Sequence, residues 1–119
     1  MTVLDASAVL AYLTGEVGSD VVAGMLPGSV IGAANLSEVL AKVEPGAERS
    51  LAEALLDAQG VTVEPVSRED ARKAAGLRDA QPHLSLGDRL CLALAERVGG
   101  PVVTADRAWG SSDSVVQIR

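Results

Sequence analysis

TVLDASAVLAYL, residues 2–13, sets the reading of the whole chain. Thr2 to Leu4 fit a short buried strand, Asp5 ends it directly, and SAVLAYL follows with the apolar spacing of a helix. An acid at the carboxyl end of a buried strand, just ahead of a helix, stands where open α/β sheets take their ligands. Asp5 also has an ordinary use, as the cap of the helix that starts near Ser7. What decides between the two is whether other acids arrive at the same edge.

The pattern continues outward from this unit. SDVVAGML (19–26) reads as a second helix, SVIG (29–32) as the next strand, and AANLSEVLAKVE (33–44) as a helix stopped by Pro45 and Gly46. AERSLAEALLDAQ (47–59) is a further helix, VTVEPV (61–66) a third strand, and REDARKAAGLRDA (68–80) a helix opened by Ser67 with Asp70 three residues later. LSLGDRLCLALAE (84–96) is helical, VVTAD (102–106) is the fourth strand, and SVVQI (114–118) is a candidate fifth. Near-continuous Val, Leu and Ile strands separated by amphipathic helices predict one α/β domain over residues 1–119, with a parallel sheet of four to five strands covered on both faces.

In right-handed strand-helix-strand units the carboxyl ends of the strands and the amino ends of the returning helices share one edge. Four acids fall there: Asp5 after the first strand, Glu38 early in the helix after the second, Asp88 opening the helix that feeds the fourth, and Asp106 after that strand. Asp88 fits a capping box with Ser85. Its face is harder to explain by capping alone: with Arg89 as origin it lies at about 260°, between Ala95 at about 240° and Leu92 at about 300°, whereas Arg89, Glu96 and Arg97 form the polar side. Glu38 could complete a box with Asn35 or share a surface face with Lys42, and Asp106 could be a turn residue. Two carboxylates about 5 Å apart repel by roughly 3 kcal/mol at an effective dielectric of 20, so four together call for shared protons or a cation. With one Cys91 and one His83, a zinc site of the usual kind is excluded, and oxygen donors select Mg2+ or Mn2+.

Composition sets the remaining bounds. Hydrophobic residues make up 48% and charged residues 22%, ordinary for a water-soluble globule; there is no Phe, so the core is built from Ala, Val and Leu. The start at Met1 shows neither a basic leader nor a long apolar segment, which predicts a cytoplasmic protein. Ten Lys and Arg against sixteen Asp and Glu give a net charge of −6, unusual for a nucleic-acid binder, but part of that charge is the acid group itself. Arg89 and Arg107 adjoin two of the acids and are candidate phosphate contacts. Lys42, Arg72, Lys73 and Arg78 read as solvated helix faces, and Cys91 as core. With only Tyr12 and Trp109 as aromatics, recognition by stacking on an extended strand is disfavoured.

Four pieces in this order, VLDASAVLAYL, NLSEVLAKV, LSLGDRLCLALAERVGGPVVTAD and TADRAW, resemble the PIN domain family, and most closely its VapC-type toxins. The resemblance runs end to end. It implies an α/β/α sandwich and a Mg2+- or Mn2+-dependent endoribonuclease cutting tRNA, rRNA or mRNA. It also implies a cognate antitoxin as inhibitor and a homodimer. It makes Asp5, Glu38, Asp88 and Asp106 the metal-binding acids and Ser7 and Thr104 supporting hydroxyls, with Asp113 in GSSDS a candidate additional acid. The abundant small and aliphatic residues of the first two helices and of residues 47–59 suit a groove for a partner's helix. A PIN nuclease of RNA processing or one acting on DNA is the nearest alternative. A non-catalytic acidic regulatory module is more remote: a phosphoacceptor domain needs an Asp after its third strand and a Lys after its fifth, whereas VTVEPVS has no Asp and no Lys follows residue 73.

Overall fold

Very short strands, buried on both faces at the centre of the sheet, build this molecule. The computed structural model describes residues 1–119. Its strands are β1 (Val3–Leu4), β2 (Val30–Gly32), β3 (Thr62–Glu64), β4 (Val102–Thr104) and β5 (Val115–Gln117). They form one sheet in the order β3-β2-β1-β4-β5, every pair parallel. In register, Val3 stands between Val30 and Val102, and Leu4 between Ile31 and Val103. Because successive residues point to opposite faces, the first trio packs against Cys91, Leu94 and Ala95 of α6 (Leu86–Val98). The second trio joins Val9 of α1 (Ala6–Thr14), Val22 of α2 (Ser19–Met25), Val39 of α3 (Ala33–Ala41) and Leu56 of α4 (Ala47–Ala58). The result is the expected three-layer sandwich with a five-stranded parallel sheet, and α5 (Arg68–Ala80) lies against α6.

Element types agree with the sequence reading, and the differences are local. The third helix ends at Ala41 rather than Glu44, since Pro45 disfavours helical backbone in the residue before it. The strand at β3 is less buried than its composition predicts: as an edge strand it leaves Thr62 and Val63 exposed. Residues 107–109 form a 3-10 turn whose amino end is capped by Asp106, which accepts from the Ala108 N–H at 2.9 Å.

Helix α6 starts at a full capping box, with Ser85 accepting from the Asp88 N–H and Asp88 Oδ2 accepting from the Ser85 N–H, both at 3.1 Å. It stops where Gly99 adopts φ 73°, a left-handed conformation that favours glycine. Its polar side, though partly open to water, is engaged with α5. Arg97 grips the buried Asp70 through two bonds of 3.0 and 3.1 Å, Lys73 pairs with Glu96 at 2.8 Å, and Arg89 donates to the Ala74 carbonyl at 2.8 Å. This corrects the phosphate-contact expectation for Arg89, whose guanidinium is committed to the seam between two helices.

Candidate active site

The strand order reverses direction between β1 and β4, and the crevice beyond the carboxyl ends of two such strands is where an open α/β sheet binds ligands. Here Asp5 leaves β1 and Thr104 ends β4. A cleft of about 290 Å³ opens at this point, lined by Asp5, Ser7, Glu38, Asp88 and Asp106, together with Ala6, Leu10, Glu16, Lys42 and Arg119. All four predicted acids therefore face one space. A larger hollow of about 470 Å³ between α4 and β3 is walled mainly by Leu36, Leu56, Val61 and Val63 and has only two acids, Glu53 and Asp57, both from α4.

Asp5 is 4% exposed and occupies the cap position of α1, yet its side chain makes no capping bond to the helix. Its Oδ2 instead accepts from the Ser7 hydroxyl at 2.6 Å and the Thr104 hydroxyl at 2.9 Å. Those hydroxyls are held in turn by backbone: Ser7 Oγ accepts from the Ala105 N–H at 2.9 Å and Thr104 Oγ1 from the Asp106 N–H at 3.0 Å. With each oxygen accepting from an amide, each hydroxyl proton is directed to Asp5. Contacts spanning 98 and 99 positions, Ala105 to Ser7 and Thr104 to Asp5, thus tie the ends of β1 and β4 together around one carboxylate oxygen.

Glu38 is set by a residue the sequence reading placed in a different role. Asn35 is 1% exposed and caps nothing; Gly32 is the cap residue of α3. Its Nδ2 donates to Glu38 Oε1 and to the Gly87 carbonyl, each at 3.2 Å. One buried amide therefore links the acid of α3 to the backbone beside Asp88 on α6. Gly87 leaves room for that contact, since a Cβ there would overlap the Glu38 carboxylate where it now lies. A glycine early in a helix, beside an acid, is the one sequence signal that pointed to such a close approach. On the far side, Gln117 donates to the Asp106 and Gly110 carbonyls, both at 2.8 Å, and fixes the turn that carries Asp106.

The electrostatics follow from this packing. Burial pushes the Asp5 carboxyl above its ordinary range, the Ser7 and Thr104 hydroxyls oppose the rise, and the charge on Asp88 adds to it. Glu38 is raised as well, first by burial and then by Asp5 and Asp88, against the pull of Asn35 and Lys42. Cys91, buried beneath, is held well above the usual thiol range by burial and by the same three acids, which makes it an inert core thiol. No three of the acids approach closely enough to form a ready-made metal cluster by themselves. The donor set of the acids is nevertheless all oxygen, and four carboxylates facing one space gather negative charge that a hard divalent cation relieves, so the residues fit Mg2+ or Mn2+.

Two other candidates lie apart. Asp113 is exposed in a turn within the 112–115 bridge and does not line the cleft; Glu16 does, accepting from Thr14 Oγ1 at 2.8 Å. Arg107 is exposed on the 3-10 turn and is likewise outside the cleft lining. No helix is long and apolar enough to cross a membrane.

Comparison with known proteins converges on one family. The PIN domain model matches residues 2–112. Ribonuclease VapC42 of Mycobacterium tuberculosis is 35% identical over 115 residues, covering 85% of this chain and 87% of that protein, and a VapC ribonuclease of Mycobacterium bovis matches equally. Among solved structures, a toxin-antitoxin complex from Klebsiella pneumoniae superposes with TM-score 0.86 at 16% identity, over 100% of this chain and 98% of that one. Mycobacterium tuberculosis VapC20, a toxin that cleaves the sarcin-ricin loop, gives 0.71 at 15% identity, over 95% and 98%. At these identities the two structures speak to the fold.

Proposed function

The chain belongs to the PIN domain family, as a toxin endoribonuclease of the VapC type, and from that premise we propose that Asp5, Glu38, Asp88 and Asp106 hold Mg2+ or Mn2+ and direct the hydrolysis of RNA phosphodiester bonds. One observation carries the assignment of the site: four acids, spread along the chain from Asp5 to Asp106, line a single cleft at the strand-order reversal. When bound, the divalent ion supplies Lewis acidity to the scissile phosphate and to the attacking water, consistent with cleavage to a 5′-phosphate and a 3′-hydroxyl.

The protein's own part is positioning. Ser7 and Thr104 occupy Asp5 Oδ2 and leave Oδ1 as the donor toward the cleft. The capping box occupies Asp88 Oδ2 in the same way, and Asn35 fixes which way Glu38 Oε1 turns. Each carboxylate is thus oriented before any ligand arrives, which spares the reorganisation a mobile acid would need. The buried Cys91 takes no part, and the proposed hydrolysis needs no covalent intermediate on the protein.

We further propose that the chain acts in the cytoplasm, pairs with a cognate antitoxin and forms a homodimer; the toxin-antitoxin complexes among its structural neighbours support the antitoxin. The test of the activity is cleavage of a mixed tRNA and rRNA pool by purified protein with Mg2+ or Mn2+, beside an Asp5→Asn variant. Cutting by the parent and none by the variant is the expected result. Equal cutting by both would remove Asp5 from the mechanism.

A further inference from the structure

The cleft that collects acids must also receive a polyanion, and the protein as a whole carries a net charge of −6. Of ten Lys and Arg residues, only Lys42 and Arg119 line the cleft. Several of the others are spent elsewhere: Arg49 on the Leu40 and Val43 carbonyls, Lys73 on Glu96, Arg89 on Ala74 and Arg97 on Asp70. Lys42 follows the last turn of α3, one helical turn beyond Glu38, and is exposed, its ammonium making no ion pair or hydrogen bond to any residue. Arg119 sits beside the end of α1, where it donates to the Val17 carbonyl at 3.0 Å and lies 3.7 Å from Glu16 Oε1. That pair is long and solvent-exposed, so it costs little to exchange for a phosphate.

Resting on the nuclease reading above, we propose that Lys42 and Arg119 are the two cations of the cleft wall that take backbone phosphates of the RNA strand entering the acid cleft, the role that Arg89, committed to the Ala74 carbonyl, does not fill. Without them a strand reaching the acids would meet Glu16, Glu38 and Asp106 with no compensating charge in the cleft wall. A purely local role for Lys42, as counter-charge to Glu38, makes a different prediction: it acts on ion binding and leaves the salt dependence of RNA binding alone.

The experiment is fluorescence anisotropy of a labelled single-stranded oligoribonucleotide, titrated over a range of KCl with full-length protein carrying Asp5→Asn to prevent cutting. Each neutralised phosphate contributes about 0.7 to the slope of log affinity against log salt for a single strand. Lys42→Ala and Arg119→Ala are each expected to lower that slope by about 0.7, the double variant by about 1.4, and Lys42→Arg is expected to restore it. Arg72→Ala, on the exposed side of α5, is expected to leave it unchanged. Mn2+ titration followed by electron paramagnetic resonance, on the parent and on Lys42→Ala, is expected to show no loss of ion affinity. An unchanged slope in either alanine variant overturns the proposal, as does a loss of Mn2+ affinity that accounts for the RNA defect. If the parent cuts RNA while the slope stays unchanged, only this inference fails. If the parent neither binds nor cuts RNA with Mn2+, the nuclease reading fails and takes this one with it.

Discussion

Replacing Gly87 with alanine separates the site from the fold. In a helix, Gly→Ala ordinarily stabilises, by up to about 1 kcal/mol in the interior. Here the new Cβ would overlap the Glu38 carboxylate, the far end of a flexible side chain that can swing away. Moving it breaks the 3.2 Å bond from Asn35, which costs about 1.5 kcal/mol, the low end for a bond to a charged group because the bond is long and the freed carboxylate regains water. The two terms nearly cancel. With an unfolding entropy of about 2.1 cal/mol/K per residue, 119 residues give about 250 cal/mol/K, so 1 kcal/mol shifts Tm by about 4 °C. Gly87→Ala is therefore expected to melt within about 4 °C of the parent. Its function should fare worse: one of four acids is turned from the cleft, and disturbing the orientation of a metal-binding group typically lowers ion affinity or activity by about 10- to 100-fold. Calorimetry, Mn2+ titration and initial cleavage rates measure the three quantities. Gly76→Ala is the control, because a Cβ on that α5 glycine meets nothing; it should raise Tm slightly and leave cleavage intact. Parent-like Mn2+ binding and cutting by Gly87→Ala would refute the argument, as would a Tm loss far beyond about 4 °C, which would mean backbone rather than Glu38 had to move.

Other outcomes follow from the same structure. Asp5→Asn should abolish cleavage yet raise the Tm of the metal-free protein at neutral pH. The native carboxyl is raised by burial, so its ionised form is a burden above that pKa, and the gap to the variant should close as pH falls through it. Arg97→Met should cost about 2 to 3 kcal/mol, a Tm loss of about 8 to 12 °C, by stripping the buried Asp70 of its partner, with cleavage unaffected at lower temperature. Although burial raises the Asp70 carboxyl, its bonds from Arg97 and Ser67 outweigh that and lower it, so its stabilisation is present above the ordinary value of 3.8 and is lost as pH falls through the folded one; the Arg97→Met deficit should vanish in acid. Gln117→Leu should leave the Asp106 and Gly110 carbonyls without their donor, speed amide exchange across residues 106–110 and reduce cleavage about tenfold, because Asp106 then rides on a loose turn.

The legible part of this molecule is the part written in period and punctuation. The five strands announce themselves by Val, Leu and Ile between helices, and an acid after β1 or β4 is visible because strand ends share an edge. Asp88 shows how far angle arithmetic reaches: it placed the acid toward the protein body, and the structure has it both capping α6 and lining the cleft. Adjacency to Asp88 misjudged Arg89, since standing next to an acid in sequence does not show that its guanidinium reaches α5. Asn35, Gly87 and Gln117 act across 52, 49 and 11 residues of sequence respectively, on atoms such as a carbonyl or an absent Cβ that leave no residue-type signature at their partners. Lys42 and Arg119 were hidden for a related reason: an exposed cation looks the same in sequence whether it faces open water or a cleft.

The capping box at Ser85 and Asp88 gives two of the cleft acids opposite fates under drift. Asp88 begins a helix, and its loss would cost folding about 1 kcal/mol even in a protein that cut nothing. Asp5 burdens the fold, and only the chemistry keeps it. A descendant released from selection for cleavage would shed Asp5 early and retain Asp88 long afterwards. Among relatives of this chain, persistence of the first is thus a sign of a working enzyme, while persistence of the second testifies only to an intact helix.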